Sequence, residues 1–167
     1  TENSIENSVV RIEFDKDGAI KSYFNKKENK EYCSAPMRAV VCEDIESDTW
    51  GHMVFDYNKD MGAFGNAQFK VLENGTLRAT LKVTSFYGDS KLEQYFTLYK
   101  DSPKVAVKCK INFKEKYKIL KLTFPMNTEN PEAVYSMPFG FIKKTPDGLE
   151  EPAQKWISVN GDNGGVA

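Results

Sequence analysis

Apolar and polar residues alternate with a period of two through most of the chain, while a 3.6-residue period is scarce. Val10, Ile12 and Phe14 alternate with Arg11, Glu13 and Asp15, which predicts a half-buried strand. Lys16-Asp17-Gly18 supplies a tight turn, and Ala19 to Phe24 returns as the second arm of a hairpin. Further on, Gln68 to Glu73 runs into Asn74-Gly75, two residues that tolerate positive φ. Leu77, Ala79, Leu81 and Val83 then alternate with Arg78, Thr80, Lys82 and Thr84. Gly88-Asp89 turns the chain, Leu92 to Lys100 returns, and Asp101-Ser102-Pro103 turns it again. The next strand, Lys104 to Lys114, is the most regular. Val105, Val107, Cys109, Ile111 and Phe113 fall on one face and are expected to be buried together, since a one-residue slip would expose all five. These four strands form an antiparallel meander.

Further strands are expected at Met37 to Glu43, Ile119 to Phe124, Val134 to Met137 and Gln154 to Val159. After Asn160 a turn leads into what reads as the start of another strand. Eight or more short strands at this spacing predict an all-β antiparallel sandwich or barrel. No Ser/Pro-rich linker and no internal repeat interrupts them, so residues 1–167 are expected to form a single domain. The opening Thr1-Glu2-Asn3-Ser4 and the strand start at the other end read as a piece of a longer protein.

One segment breaks the alternation. Between Glu43 and Phe69, aromatic residues, glycines and carboxylates mix without strand periodicity, which predicts a long ordered loop. It carries Asp48-Thr49-Trp50-Gly51-His52, with Asp44, Glu46 and Asp56 around them. Paired carboxylates beside an aromatic ring are the equipment of sugar chemistry, where acid and nucleophile flank a bond and the ring stacks on a pyranose. The plainer reading is a solvated acidic loop with Trp50 as its anchor. Trp50, His52 and Asp48 are therefore candidate carbohydrate or domain contacts, with Trp50 at least half exposed beside a surface concavity. No residue is assigned a catalytic or metal-binding role.

Charge and composition narrow the classes. Twenty-three Lys and Arg against 24 Asp and Glu leave a net charge of -1, without the basic excess of a nucleic-acid binder. No apolar run approaches the roughly 20 residues that a membrane-spanning helix needs. Cys33, Cys42 and Cys109 are odd in number and widely spaced, which argues against a disulfide framework and suits a reducing, cytoplasmic compartment. His52 is the only histidine, so any His-based dyad or triad would have to use it, and no thiols or carboxylates sit with it at zinc-ligand spacing. The lysines between Lys104 and Lys121 read as the solvated face of a strand. Asn74-Gly75-Thr76 fits the glycosylation pattern but is better explained as a turn. Glycine-rich phosphate loops and nucleophile elbows are not found.

Five stretches resemble the C-terminal β-region of family 38 α-mannosidases. They are Ile5 to Gly18 with Ile20-Lys21-Ser22, and Asp48-Thr49-Trp50-Gly51-His52, which is similar to an Asp-Thr-Trp-x-His stretch of bacterial members. Leu120 to Met126 and Tyr135 to Ile142 resemble paired strand motifs. Pro152-Ala153-Gln154-Lys155-Trp156 with Gly165-Val166-Ala167 resembles a Pro-Ala-Gln-Arg-Trp segment and the strand after it. The resemblance implies a galactose-mutarotase-like supersandwich, truncated at its C-terminus. It also implies a bacterial parent that hydrolyses α-mannosides with retention, using an Asp nucleophile and a zinc ion in a separate catalytic domain.

The expected function is thus a non-catalytic module that buttresses that catalytic domain and lines the rim of its substrate cleft. Its partners would be the catalytic domain of the same polypeptide and a mannose-containing oligosaccharide, with no nucleic acid and no membrane. The fragment itself is expected to hold no cofactor and to be inactive alone. Two alternatives come from other classes: a stand-alone carbohydrate-binding module, and a mutarotase-like epimerase, which a single histidine serves poorly.

Overall fold

Short strands dominate the computed structural model, which describes residues 3–44 and 56–166. Fifteen strands and no helix occur among the described residues, and every strand pairing is antiparallel. Strands β1 (Ser4–Glu6), β2 (Val10–Phe14), β3 (Ile20–Asn25) and β4 (Lys30–Glu31) pair in sequence order as the first sheet. Strands β5 (Arg38–Glu43) and β6 (Asp60–Ala63) begin a second. Strands β7 (Gly65–Asn74), β8 (Arg78–Tyr87), β9 (Ser90–Tyr99) and β10 (Val105–Asn112) form the expected meander. Strand β11 (Lys118–Thr123) returns to pair with β5, giving the order β11-β5-β6. Strands β12 (Glu132–Met137), β13 (Gly140–Lys144), β14 (Ile157–Gly161) and β15 (Gly164–Val166) make the last sheet, ordered β13-β12-β14-β15.

Period-two alternation places the core. The first sheet turns Ile5, Val10, Ile12 and Phe14 onto Leu81, Val83, Phe96 and Leu98 of the meander, so two sheets face each other as a β-sandwich. Phe14 is fully buried, with its ring centroid 4.8 Å from that of Phe96 in an edge-on contact. A second cluster joins Ala39 and Val41 of β5 to Phe64 and Leu92.

The turns follow their chemistry in part. Gly18 (φ +85°) and Gly88 (φ +52°) occupy the left-handed positions of the β2–β3 and β8–β9 turns. The β7–β8 hairpin forms where expected, but neither Asn74 nor Gly75 takes a positive φ. Its loop is Gly75-Thr76-Leu77, closed by Gly75 N–H donating to the Arg78 carbonyl (2.9 Å). Leu77 belongs to this loop and is exposed.

Three expectations are corrected. Residues 43–69 do not form one loop, because β6 and the start of β7 lie inside that range. Gly62 (φ +122°) and a bulge at Val41/Cys42 hide the alternation there. The last strand of the Gln154 segment begins only at Ile157. Val105, Val107, Cys109 and Ile111 share a face of β10, with Phe113 just past its end, but the face is only partly covered: Val107 is 47 % and Ile111 53 % exposed. β10 is the edge of its sheet, and only its first residue, Val105, packs against the core cluster of the first sheet. Val107 and Cys109 instead line an apolar groove of about 160 Å³ with Ile20, Met37, Leu122 and Phe124.

Candidate functional site

A concavity of about 910 Å³ opens on the polar side of the β11-β5-β6 sheet. β5 explains its floor. Alternation sends Ala39 and Val41 into the core and leaves Arg38, Val40 and Cys42 facing the concavity. The β5–β11 register sets Lys121 opposite Val40 and Thr123 opposite Arg38, so both join the same surface. Asp60 of β6, Asn66 at the head of β7 and the β2–β3 turn, with Asp15 and Asp17, form the rim. Tyr57 and Phe86 add aromatic lining.

Its charged groups are paired rather than bare. Arg38 Nη2 lies 4.0 Å from Asp60 Oδ2, and Asp60 Oδ1 accepts the Gly62 amide at 2.7 Å. Thr123 Oγ1 donates to the Arg38 carbonyl at 3.1 Å. Lys121 Nζ donates to the Tyr57 carbonyl at 2.6 Å, lies 5.9 Å from the Tyr57 ring centroid and bonds Glu150. Glu150 also accepts the Tyr57 amide at 3.2 Å. The Lys121 hydrogen bond holds the Glu150 carboxyl below the usual carboxylate range. Lys121 is therefore not the plain solvated lysine that its strand pattern suggests.

The two rim carboxylates serve the backbone. Asp15 Oδ1 accepts the amides of Asp17 (2.9 Å) and Ala19 (3.0 Å), and Asp17 Oδ1 accepts that of Asn66 (3.1 Å). Such carboxylates hold the turn and are not poised as an acid and a nucleophile, which retaining hydrolysis places about 5–5.5 Å apart. The concavity offers hydroxyl, carboxylate and guanidinium edges beside aromatic rings, an arrangement suited to binding a hydroxyl-rich ligand.

Asp48, Trp50 and His52 lie outside the described residues. The described chain stops at Asp44 and resumes at Asp56, and Cys42 and Tyr57, near those two points, line the concavity. Arg38, Asp60 and Lys121 were not singled out by sequence. Arg38 opens a strand whose next four residues are apolar, and that charge at the head of an apolar run was the available signal.

Among the described residues no three His, Cys, Asp or Glu side chains converge. Cys33 and Cys42 are buried free thiols, and burial, reinforced by the Glu31 carboxylate, pushes the Cys33 thiol up to about 11.

Comparison with known proteins agrees with this architecture. Two solved structures from Enterococcus faecalis superpose on 95 % of the chain: a family 38 glycosyl hydrolase (TM-score 0.75, 13 % identity) and an α-mannosidase (TM-score 0.73, 14 % identity). The chain covers 23 % and 22 % of those two proteins. Alpha-mannosidase G of Dictyostelium discoideum is 26 % identical over 84 % of the chain, and mouse alpha-mannosidase 2C1 is 21 % identical over 98 %. The chain spans only 14 % and 17 % of the length of these relatives. The model of the glycosyl hydrolases family 38 C-terminal domain matches residues 5–167, the whole sandwich and the sheet that follows it, and the chain belongs to that family.

Proposed function

We propose that this chain is a single, non-catalytic β-sandwich module of an α-mannosidase-like retaining glycoside hydrolase. It buttresses the zinc-dependent catalytic domain of the same polypeptide, and its 910 Å³ concavity forms part of the substrate cleft wall. The observation that carries this reading is the family match over residues 5–167, in relatives named as α-mannosidases of which the chain spans 14 % and 17 %. The half-exposed apolar face of β10 supports a buttressing role, because such a surface suits contact with another domain. Arg38, Asp60 and Tyr57 are the hydroxyl-binding groups on the wall, with Asp48, Trp50 and His52 as further contacts. Free, buried thiols support a reducing compartment, in keeping with a cytoplasmic enzyme.

The catalytic carboxylates and the zinc site belong, in this reading, to the other domain, and no chemical step is assigned to residues of this chain. The test is an assay of this chain on aryl α-mannosides with and without added zinc, paired with a mannobiose titration followed by NMR. No turnover, with at most weak shifts at Arg38 and Tyr57, is expected. Zinc-dependent turnover would overturn the reading. Tight mannobiose binding by this chain alone would favour a stand-alone carbohydrate-binding module.

A further inference from the structure

We infer that the tip of the β12–β13 hairpin is the module's docking anchor, inserting the Phe139 ring into an apolar pocket on another domain of the same polypeptide. The inference rests on the module reading above and names the contact that reading requires.

The hairpin is closed by the Met137–Gly140 pair, so Pro138 and Phe139 are its two loop residues. Proline suits the first of these positions. The second takes φ +64°, where a turn of this kind ordinarily carries Gly or Asn. A bulky aromatic residue in the left-handed region pays a steric penalty that glycine avoids. The neighbouring glycine does not relieve it: Gly140 has no positive φ, and a Cβ there would meet nothing within 4 Å. The strain is not offset within the module, because the Phe139 side chain is fully exposed. A strained backbone holding a large apolar ring in solvent is explained if the ring is covered by something outside the chain.

The surroundings of the tip point the same way. Phe141 (63 % exposed) stands opposite Ser136 on one side. On the other side Trp156 is fastened to the same residue: its amide donates to Ser136 Oγ (3.0 Å) and its carbonyl accepts the Ser136 amide (3.1 Å). Two exposed aromatic residues thus flank a small, buried serine across three neighbouring segments, next to the protruding tip. Residues 138–142 carry no charge. Of the nearby lysines, Lys143 pairs with Glu132 and Lys144 with Glu151, while Lys155 adjoins Trp156. The tip itself is uncharged and aromatic, so the surface that receives it is apolar. The same polypeptide is its source, because proteins that share this fold are more than four-fifths or three-quarters other sequence, of which this chain covers 14 % to 23 %.

Hydroxyl-radical footprinting of the full-length polypeptide, normalised to the unfolded chain, tests this. Phe139 and Phe141 should label several-fold more slowly than exposed Leu77 of the β7–β8 loop, at every protein concentration. Phe139→Gly, which removes the ring and relieves the backbone, should keep the fold and raise Phe141 labelling towards that of Leu77. Phe139 labelling freely in the wild-type polypeptide would overturn the inference, and so would protection lost on dilution, which means a second copy covers the tip. Val107 and Ile111 separate the two levels. Their protection with a freely labelled Phe139 leaves the module reading intact, whereas free labelling of all three removes both.

Discussion

Lys82 reaches diagonally across the β8–β9 pair to Glu93, its Nζ 2.7 Å from Oε1, while the same ammonium lies 5.4 Å from the ring centroid of Tyr95 directly opposite. Lys91 approaches the same carboxylate at 3.4 Å. The Lys82 hydrogen bond, helped by the charge of both lysines, pulls the Glu93 carboxyl down to about 2 and raises the Lys82 ammonium.

A carboxyl whose folded pKa is depressed contributes stability above its unfolded value of about 4.3 and loses it as pH falls through the folded one. The pair should therefore add an acid limb to the stability curve between roughly pH 4.5 and pH 2. Lys82, raised, keeps its contribution throughout neutral pH and loses it only in strong alkali. NMR titration of Glu93 should show a midpoint near 2 that returns to the ordinary carboxylate range in Lys82→Met. A wild-type midpoint near 4 would dismiss the pair as a determinant.

Gly18→Ala should destabilise the chain by about 1–3 kcal/mol, more than a surface turn normally costs. Two effects add. The φ of +85° is unfavourable for alanine, and the new Cβ would lie 2.9 Å from Ala67 Cβ and 3.0 Å from Val83 Cγ1. Urea unfolding measures the loss. Pairing the change with Ala67→Gly should recover the Ala67 share of the steric part and leave the Val83 contact and the backbone part, whereas full recovery would mean that neither is a cost here.

The alternation read from sequence located long strands with one face sealed, as at Val10, Ile12 and Phe14 or Leu81 and Val83, but not the three-residue β1, where a single Ile5 is buried. It failed where a bulge or a left-handed glycine shifts the period, as at Val41/Cys42 and Gly62, which hid β6. Alternation also fixes which residues share a face without saying what lies opposite. Val107 and Ile111 were grouped correctly with Cys109 and still lie half in solvent, because burial depends on a neighbouring layer that no local pattern encodes. The concavity was harder to foresee. Arg38, Asp60 and Lys121 come from strands that pair across long sequence separations, and Lys121 meets Glu150 only through tertiary folding.

Cys33 should resist thiol reagents in the folded state. Its pKa near 11 leaves very little thiolate at pH 8, and the side chain is buried beside Glu31. The half-buried Cys109 should react first, with Cys33 and Cys42 following only on unfolding. Mass spectrometry of labelled peptides over time reads the order. Rapid native labelling of Cys33 would contradict the burial.

The exposed edge yields the last prediction. Val107→Thr and Ile111→Thr keep a β-branched side chain, and so keep strand propensity, while replacing apolar surface with a hydroxyl. In this chain both side chains lie half in solvent, so the hydroxyl stays hydrated and each change should cost no more than about 0.5–1 kcal/mol. The matched change Val83→Thr, in the sealed core, strips water from the hydroxyl and should cost about 1–3 kcal/mol. The comparison isolates burial, since all three sites sit on strands of one sheet. In the full-length polypeptide the ranking should change: if another domain covers β10, Val107→Thr and Ile111→Thr become core-like and approach the cost of Val83→Thr. Chemical denaturation of both forms supplies the numbers. Equal, small costs in both would mean that the β10 face meets solvent throughout, and buttressing through that face would have to be abandoned.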